Sequence, residues 1–489
     1  MKRETARQFP WAVLALILLS FALRVYRLGH SSLRGDEAYT VRYWAQPPAD
    51  VLTNLVDHEP HPLGAFFSFW AWKSLVGDSE FAMRMLPALA NVIGTAGIYA
   101  LTRRLLHNER AALVAALLWA INPNLIWHSQ DARNYAIWAA LSVVTLWLLL
   151  RAADRSRRLD WALYIISLTL GLYIFFLEAL LIIVHGLYIA LFRHKALKPW
   201  LVSMLIIGVL SVPWAVQAWA LAHSGYPGTA QHADIGQLFT QFFPAFFLGE
   251  VSDLINEPIW QIALLAVYAI SVIYLWRQRR EAAVFSLLVL VVPTVLFVLA
   301  ATRLAIFRPR YLIIVTPALI VPLAALFTPL SASINAQRKG FRALDRFAGI
   351  AGRLGLIAIV GLSFVALDEY YFHYQKAPDW RGLSAYLHGV TTANDMVIIT
   401  AADAFGSTAP EFGYYYTGPA TVLVLPYPNY DMQAALQRDF ASYRSIFLVP
   451  QGSLTDQVVA ALSKNGKFVS QQEAGGFVVR KYHAGSIDF

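Results

Sequence analysis

The sequence predicts a mainly α-helical, polytopic membrane protein with a small α/β domain at its C-terminal end. Three observations favour this fold class. The chain of 489 residues is 58% hydrophobic and 14% charged, its mean hydropathy is +0.51, and its apolar residues form repeated runs of membrane length. Ordinary soluble domains carry about 25% charged residues, so most of this chain is expected to face lipid rather than water.

Apolar runs set the predicted number of membrane spans. A bilayer needs about 20 apolar residues per helix, and this criterion gives about eleven transmembrane helices. The segment 64–77 is also apolar, but it is short and carries Lys73, so we interpret it as an interfacial or re-entrant helix. The predicted spans are centred on residues 10–26, 84–101, 111–127, 135–151, 161–176, 178–193, 200–219, 258–276, 282–300, 311–328 and 354–368.

Basic residues in the short connections predict the orientation, because Lys and Arg accumulate on the cytoplasmic side of a membrane. The N-terminal MKRETAR belongs to that side, and the first run is expected to remain as an anchor because no small-residue cleavage site follows it. An odd number of spans then places the C-terminal part outside the cytoplasm. The basic residues on the cytoplasmic side are Arg103, Arg104, Arg110, Arg151, Arg155, Arg157, Arg158, Arg193, Lys195, Lys198, Arg277, Arg279, Arg280, Lys339, Arg342 and Arg346.

The chain is predicted to divide after residue 368. Residues 1–368 form the transmembrane part, with a first outer loop at 27–83, and residues 369–489 form an extracytoplasmic domain. From Asp395 onward, short β-branched runs such as DMVIIT and TVLVLP alternate with segments of helical period such as LTDQVVAALSKNG. This alternation predicts a small α/β domain with a mainly parallel sheet and a terminal hairpin.

Charge and cysteine content narrow the function classes. The formal net charge is +9, but the basic residues lie in short connections between apolar runs, so they indicate topology rather than a nucleic-acid partner. The chain contains no cysteine, which excludes disulfides and thiolate chemistry.

The first outer loop carries two polar clusters. The first, RGDEAYT, contains the adjacent carboxylates Asp36 and Glu37, which could simply favour the first turn of a helix. The second, DHEPHP, contains His58, Glu59 and His61 beside two prolines that stiffen the turn. Their common position on the outer face favours a functional site, and the structural interpretation of the acidic pair stays open.

Two further polar motifs are predicted on the same face. HSQDARNYA, between the third and fourth spans, places Asp131 and Arg133 at the membrane surface, where ionisable groups are expensive unless they are used. RPRY, before the tenth span, contains Arg308, Arg310 and Tyr311. Arginine binds phosphate through paired N–H donors and stays charged when partly desolvated. These motifs therefore suit an anionic lipid phosphate, although single arginines also extend towards lipid headgroups without binding a ligand.

The order of these motifs resembles the GT-C superfamily of integral-membrane glycosyltransferases. It is most similar to the branch that contains protein O-mannosyltransferases, aminoarabinose transferases and lipopolysaccharide galacturonosyltransferases. The resemblance covers the membrane part, and its specificity comes from the order of motifs rather than from any one of them. The matching stretches are RGDEAYT, HPLGAFFSFWAWKSLVGDSEFAMRMLPAL, HSQDARNYA and RPRYLIIVTPAL, and DWRGLSAYL at the start of the outer domain is also similar to bacterial members.

The resemblance implies transfer of a sugar from a polyprenyl-phosphate donor to an acceptor hydroxyl on a glycan, lipid or protein. The reaction would take place at the outer face of the cytoplasmic membrane and would invert the anomeric centre of the sugar. In such enzymes a first-loop aspartate lies at the reacting centre, which maps onto Asp36 here. The candidate site residues are Asp36 and Glu37 for catalysis, His61, Arg133, Arg308 and Arg310 for the donor phosphate, and His58, Glu59, Asp131 and Tyr311 for the substrate pocket.

Several alternatives stay open from the sequence. No cofactor is expected to be required, although Glu59 and His61 have the ligand types that a divalent metal accepts. A multi-pass transporter or lipid flippase would also need many spans and buried charges, and a noncatalytic partner in envelope assembly could keep the same fold. Besides the donor and acceptor, membrane lipids are the expected partners. The sugar, the acceptor and the linkage depend on pocket shape and are not predicted.

Overall fold

The structure, a computed structural model, describes residues 9–54, 61–225, 230–328, 342–400, 409–425, 442–451 and 455–484. The chain divides into two compact units. The first comprises Met1–Leu28 and Trp44–Tyr374, and the second comprises Gly29–Tyr43 and Gln375–Phe489. The predicted domain line after residue 368 stays a prediction, and the second unit includes part of the predicted first outer loop.

The first unit is helical throughout its described part, apart from an isolated bridge between Gln231 and Phe307. Short 3₁₀ or π-helical turns adjoin several of its α-helices. The α-helices are Phe9–Val25, Pro48–Asn54, Leu63–Val76, Glu80–Leu106, Glu109–Ala120, Pro123–Ser129, Tyr135–Arg155, Arg158–Ile174, Ala179–Phe192, Leu197–Leu210, Val212–His223, Ile235–Gln237, Phe243–Leu248, Pro258–Gln278, Arg280–Ala301, Thr316–Ala325 and Arg342–Asp368.

Several of these helices can cross a membrane. Five described helices are long and apolar enough, and the number rises to seven if each of two bent pairs counts as one span. The mainly helical fold is therefore confirmed, whereas the count of eleven spans is not confirmed. The five are Glu80–Leu106, Tyr135–Arg155, Pro258–Gln278, Arg280–Ala301 and Gly349–His373, and the bent pairs are Glu109–Ala120 with Pro123–Ser129 (53°) and His194–Leu210 with Val212–His223 (64°).

The first bend has a clear cause in the sequence. Pro123 has no backbone N–H to continue the preceding helix, so a new helix begins at that residue. The side chain of Asn122 caps it by accepting a hydrogen bond from the backbone N–H of Leu125 at 2.9 Å. This restart brings His128 into a short, fully buried helix that leads directly into the HSQDARNYA motif.

Close helix packing surrounds Glu80–Leu106. A Cβ on Gly94 would lie 2.6 Å from Cζ2 of Trp119 in the helix Glu109–Ala120. Only glycine at position 94 therefore lets the two helices approach so closely. Arg24 is fully buried beside them, and its guanidinium donates to Oδ1 of Asn91 at 2.7 Å and to the carbonyl oxygen of Ala120 at 2.9 Å. A buried charge is tolerated only when it is paired or hydrogen-bonded, so this network fixes the first helix against its neighbours.

The second unit is built on a five-stranded sheet of order β2-β1-β3-β5-β4. Strands β1 (Asp395–Thr400), β2 (Thr421–Leu425) and β3 (Ser445–Val449) are parallel, and β4 (Gly466–Ala474) and β5 (Phe477–Ala484) form a terminal antiparallel hairpin. The predicted small C-terminal sheet is therefore confirmed, with its hairpin. Its α-helices are Gly35–Tyr39, Trp380–Val390, Pro410–Tyr415 and Thr455–Asn465.

Both faces of the sheet are covered by apolar side chains. Alternate residues of β1 point to opposite faces, so that Val397 and Ile399 belong to one hydrophobic cluster and Met396 and Ile398 to another. The first cluster includes Trp380 from the helix Trp380–Val390. Burial on both faces explains why β1 is an unbroken apolar run rather than an alternating one.

Candidate functional site

The acidic pair lies in the short helix Gly35–Tyr39 of the second unit. Asp36 and Glu37 occupy its first turn, where negative charge is stabilised by the helix dipole. The backbone N–H of Arg34 donates to Oε2 of Glu37 at 3.1 Å, and Nη1 of Arg34 lies 2.9 Å from Oδ2 of Asp36. The sequence-based interpretation as a helix start is thus correct, and it does not exclude a chemical role.

The two carboxylates differ in accessibility. The side chain of Asp36 is 38% exposed, whereas that of Glu37 is completely buried. Oε1 of Glu37 accepts from Nζ of Lys376 at 3.0 Å, and Lys376 is itself only 6% exposed. A reacting group must be reached by substrate, so Asp36 is the better candidate for proton transfer, and Glu37 is placed to hold the loop.

In the first unit, two of the predicted phosphate-binding residues contact each other. Nη2 of Arg133 lies 3.1 Å from Nε2 of His61, and both residues are 5% exposed. The guanidinium of Arg133 lies 4.0 Å from the ring centroid of Trp44, which is a favourable cation–π distance. The ring of His61 is 4.6 Å from that of Trp44. The cation and the imidazole are therefore held by a fully buried tryptophan.

Arg310 occupies a similar aromatic setting. Its guanidinium carbon lies 5.2 Å from the ring centroid of Tyr135 and 5.5 Å from that of Tyr311. Arg310 is 8% exposed. The ring of Phe175 lies 5.9 Å from His61, 5.6 Å from Tyr135 and 5.5 Å from Tyr311, so it joins this arginine to the His61 group. We call His61, Arg133, Arg310 and their aromatic neighbours Trp44, Tyr135, Phe175 and Tyr311 the cationic cluster.

A carboxylate that the sequence did not single out lies near this cluster. Glu250, in the connection after the helix Phe243–Leu248, has Oε1 3.4 Å from Nε2 of the fully buried His128. Burial alone would raise the pKa of Glu250, but the close contact with His128 and the charges of His128, Arg310 and Arg308 hold that pKa below its usual value. Glu250 is therefore an ionised partner of the basic residues.

Tyr311 was a predicted site residue, but Glu250 and the other aromatic members of the cluster, Trp44, Tyr135 and Phe175, were missed for a physical reason. His128 and Glu250 are distant in sequence, and no local spacing relates them. Only weak indications of these residues are present. Gly249, next to Glu250, has φ +84°, a conformation that favours glycine. Trp44 lies in an aromatic-rich stretch of the sequence. Neither signal indicates a partner.

The other predicted site residues contribute less to the observed geometry. Arg308 is half-buried and acts on Glu250 through its charge. Asp131 is fully buried, and its carbonyl oxygen accepts from the backbone N–H of Arg133 at 2.6 Å. His58 and Glu59 lie outside the described residues, so the structure gives no geometry for the metal alternative. Within the described ranges, no group of three or more His, Cys, Asp or Glu residues is arranged to hold a metal ion.

Comparison with known proteins adds to this geometry. Residues 60–219 match the family described as dolichyl-phosphate-mannose-protein mannosyltransferase. The undecaprenyl phosphate-alpha-4-amino-4-deoxy-L-arabinose arabinosyl transferase 1 of Pseudomonas fluorescens is 26% identical over 321 residues, which cover 61% of this chain and 55% of the relative. The corresponding transferase of Pseudomonas aeruginosa is 26% identical, with 63% and 56% covered. The chain spans about half the length of these curated relatives.

Solved structures share the fold over almost the whole chain. ArnT from Cupriavidus metallidurans in the apo state has a TM-score of 0.63 at 13% identity, with 96% of this chain and 97% of that chain covered. The archaeal oligosaccharyltransferase AglB from Archaeoglobus fulgidus, in complex with an inhibitory peptide and a dolichol-phosphate, has a TM-score of 0.57 at 13% identity, with 100% and 75% covered. At this identity the likeness shows the fold alone.

Proposed function

We propose that this chain, whose resemblance to the GT-C superfamily is confirmed by the comparisons above, is a glycosyltransferase that uses a polyprenyl-phosphate-linked sugar. The observation that carries the proposal is the cationic cluster, in which buried Arg133, His61 and Arg310 are held against aromatic rings. Guanidinium groups in partly desolvated surroundings suit a phosphate anion. The aromatic faces suit the apolar chain or the sugar ring of the donor.

The donor class is supported by the known proteins. The curated relatives are named for a sugar on undecaprenyl phosphate, ArnT has been solved bound to undecaprenyl phosphate, and AglB has been solved with a dolichol-phosphate. A polyprenyl phosphate is common to all of them. We therefore propose a polyprenyl-phosphate sugar as donor and a hydroxyl on a glycan, lipid or protein as acceptor.

In the proposed reaction, Asp36 accepts the proton of the acceptor hydroxyl while that oxygen attacks the anomeric carbon. The bond between this carbon and the phosphate oxygen breaks, and the electron pair leaves with the lipid phosphate. Attack from the face opposite the leaving group inverts the anomeric configuration. Arg133 and Arg310 stabilise the charge that develops on the phosphate, because fixed cations act strongly in a water-poor site. His61 accepts a hydrogen bond from Nη2 of Arg133 through its Nε2 and so helps to orient that guanidinium towards the phosphate.

The other candidates have supporting roles in this proposal. Arg308 adds positive charge near the phosphate, and Tyr311 supports Arg310. Asp131 supports the backbone of the Arg133 motif, and Glu37 holds the loop that carries Asp36. The proposed reaction has no step that requires a metal, and His58 and Glu59 remain candidates for the substrate pocket.

We further propose a location in the cytoplasmic membrane, with eleven spans, a cytoplasmic N-terminus and an extracytoplasmic domain after residue 368. The basic residues in the short connections support this orientation. The shorter apolar helices Trp11–Val25, Phe176–Phe192 and Pro309–Ala325 coincide with three of the predicted spans beyond the five to seven that length and composition identify.

The test compares the wild type with Asp36→Asn on a panel of purified polyprenyl-phosphate sugars. A positioned general base contributes about 100- to 10,000-fold to the rate, so transfer should fall by that factor while undecaprenyl phosphate still binds. Asp78→Asn is the matched control, because Asp78 is an exposed acid of the same predicted outer loop, and its rate should equal that of the wild type.

The outcomes separate the alternatives. Equal turnover by Asp36→Asn and wild type would refute the assignment of the base. Lipid movement across vesicles without sugar transfer would favour the flippase alternative, and binding without either activity would favour a noncatalytic partner. A parallel reaction with a chelator tests the metal alternative, since loss of activity that is restored by one divalent metal would overturn a metal-free mechanism.

A further inference from the structure

The loop Gly29–Tyr43 makes several polar contacts with the C-terminal part of the chain, on both sides of Asp36. We propose that the C-terminal α/β domain is a positioning platform that fixes the direction of the Asp36 carboxylate, and that Lys376 is its main positioning residue. This inference rests on the proposed function for the role of Asp36. The contacts themselves all lie within the second unit.

The central contact is the buried ion pair between Lys376 and Glu37. Nζ of Lys376 lies 3.0 Å from Oε1 of Glu37, and the two side chains are 6% and 0% exposed. The other carboxylate oxygen of Glu37, Oε2, accepts a hydrogen bond from the backbone N–H of Arg34. One glutamate therefore ties the beginning of the Asp36 helix to a lysine that lies close to the start of the C-terminal domain.

Two further contacts hold the backbone of the loop before Asp36. Nη2 of Arg381 donates to the carbonyl oxygens of Gly29 and Ser31, each at 2.9 Å. The backbone N–H of Leu33 donates to the hydroxyl oxygen of Tyr415 at 2.7 Å. Backbone groups cannot rotate away as side chains do, so these hydrogen bonds restrict the path of the chain itself.

A fourth contact holds the loop after Asp36. The guanidinium of Arg42 lies against Gly413, in the space that a Cβ on Gly413 would occupy. Gly413 belongs to the helix Pro410–Tyr415. A Cβ at 413 would displace the guanidinium of Arg42 and so remove this contact of the loop.

These contacts flank Asp36 on both sides and leave its own side chain 38% exposed. This is the arrangement expected for a group that must be accessible and yet point in a fixed direction. A displacement of about 1 Å at a reacting group lowers a rate by about 100-fold. The platform would therefore affect turnover more than donor binding, because the phosphate-binding residues belong to the first unit.

The first experiment measures kcat and donor KM for substitutions of Lys376. Lys376→Met should lower kcat by about 10- to 100-fold with the donor KM changed by less than about twofold, and Lys376→Arg, which keeps the charge, should restore most of the kcat. Lys467→Met is the matched control, because Lys467 is exposed on β4. A fall in kcat for Lys467→Met as well, or an equal loss for Lys376→Arg, would overturn the positioning role.

Gly413→Ala gives a second test that removes no charge and keeps the ion pair between Lys376 and Glu37. Its control is Gly389→Ala, since a Cβ on Gly389 meets nothing within 4 Å. We expect a lower kcat for Gly413→Ala alone. The same pair is compared by hydrogen exchange of the amides of residues 29–43, which should exchange faster only in Gly413→Ala.

Hydrogen exchange separates the two proposals, because it needs no substrate. If the wild type transfers no sugar but Gly413→Ala and Lys376→Met loosen residues 29–43, the proposed function fails and the platform stands as a structural device. Unchanged exchange in both variants would refute the platform. Faster exchange with unchanged kcat would refute its role in positioning Asp36.

Discussion

Replacement of Arg310 by alanine should weaken the binding of undecaprenyl phosphate by about 10- to 100-fold. Arg310 is 8% exposed, and its guanidinium lies 5.2 Å from the ring centroid of Tyr135 and 5.5 Å from that of Tyr311. A hydrogen bond to a charged group contributes about 1.5–3 kcal/mol, and about 1.4 kcal/mol corresponds to a factor of ten in affinity. Arg310→Lys keeps the charge but loses the paired N–H donors, so its affinity should lie between those of Arg310→Ala and the wild type.

Replacement of Glu250 by glutamine should change the affinity for undecaprenyl phosphate in the opposite direction. Glu250 is ionised and interacts with Arg310 and Arg308, so its carboxylate competes with the phosphate for these cations. Glu250→Gln removes one negative charge and should therefore increase the affinity for undecaprenyl phosphate. Opposite effects of Arg310→Ala and Glu250→Gln would be difficult to explain by general loss of folding.

The assay is equilibrium binding of undecaprenyl phosphate to the purified protein, followed by tryptophan fluorescence, since the chain contains 15 tryptophans. Arg303→Ala is the matched control because Arg303 is an exposed arginine of the same connection, and it should bind like the wild type. Unchanged affinity in Arg310→Ala, or equal weakening in Arg303→Ala, would refute the assignment of Arg310 to the phosphate site.

Three further predictions concern stability. Gly64→Ala should lower the free energy of unfolding by about 1–3 kcal/mol, because the new Cβ would lie 2.6 Å from the carbonyl oxygen of Tyr173; thermal unfolding in detergent checks this, and an unchanged midpoint would contradict it. Lys376→Met should lower the free energy of unfolding by about 3–5 kcal/mol, since it removes the cationic partner of the buried Glu37 carboxylate, and adding Glu37→Gln should recover part of the loss. The pKa of Glu250 is lowered in the folded state, so its contribution to stability is complete above its unfolded pKa, near the usual 4.5, and is lost as the pH falls through the folded pKa. The difference in unfolding midpoint between the wild type and Glu250→Gln should therefore be constant from pH 7 to about 4.5 and shrink below that pH. A difference that stays constant below about pH 4.5 would argue against an ionised Glu250.

The helices and strands of this protein could be predicted from the sequence where they depend on a short run of neighbouring residues. Hydrophobic runs of membrane length predicted the long helices, and short β-branched runs predicted β1, β2 and β3, because burial against lipid or on both faces of a sheet demands continuous apolar sequence. The bend at Pro123 also follows from one residue. The number of membrane spans was harder to predict, because bent helix pairs and short helices interrupt the apolar runs from which spans are counted.

The sequence by itself determined that the chain is helical and apolar, that it ends in a small α/β sheet, and that carboxylates and arginines occur in short motifs between apolar runs. Only the tertiary structure decided which of these groups meet. Glu37 and Lys376 are 339 residues apart, and Arg133 and His61 are 72 residues apart. Local periodicity records which face of an element is buried, whereas the pairing of buried charges depends on packing between distant elements, and for that reason the accessible Asp36 could be distinguished from the buried Glu37 only in the folded chain.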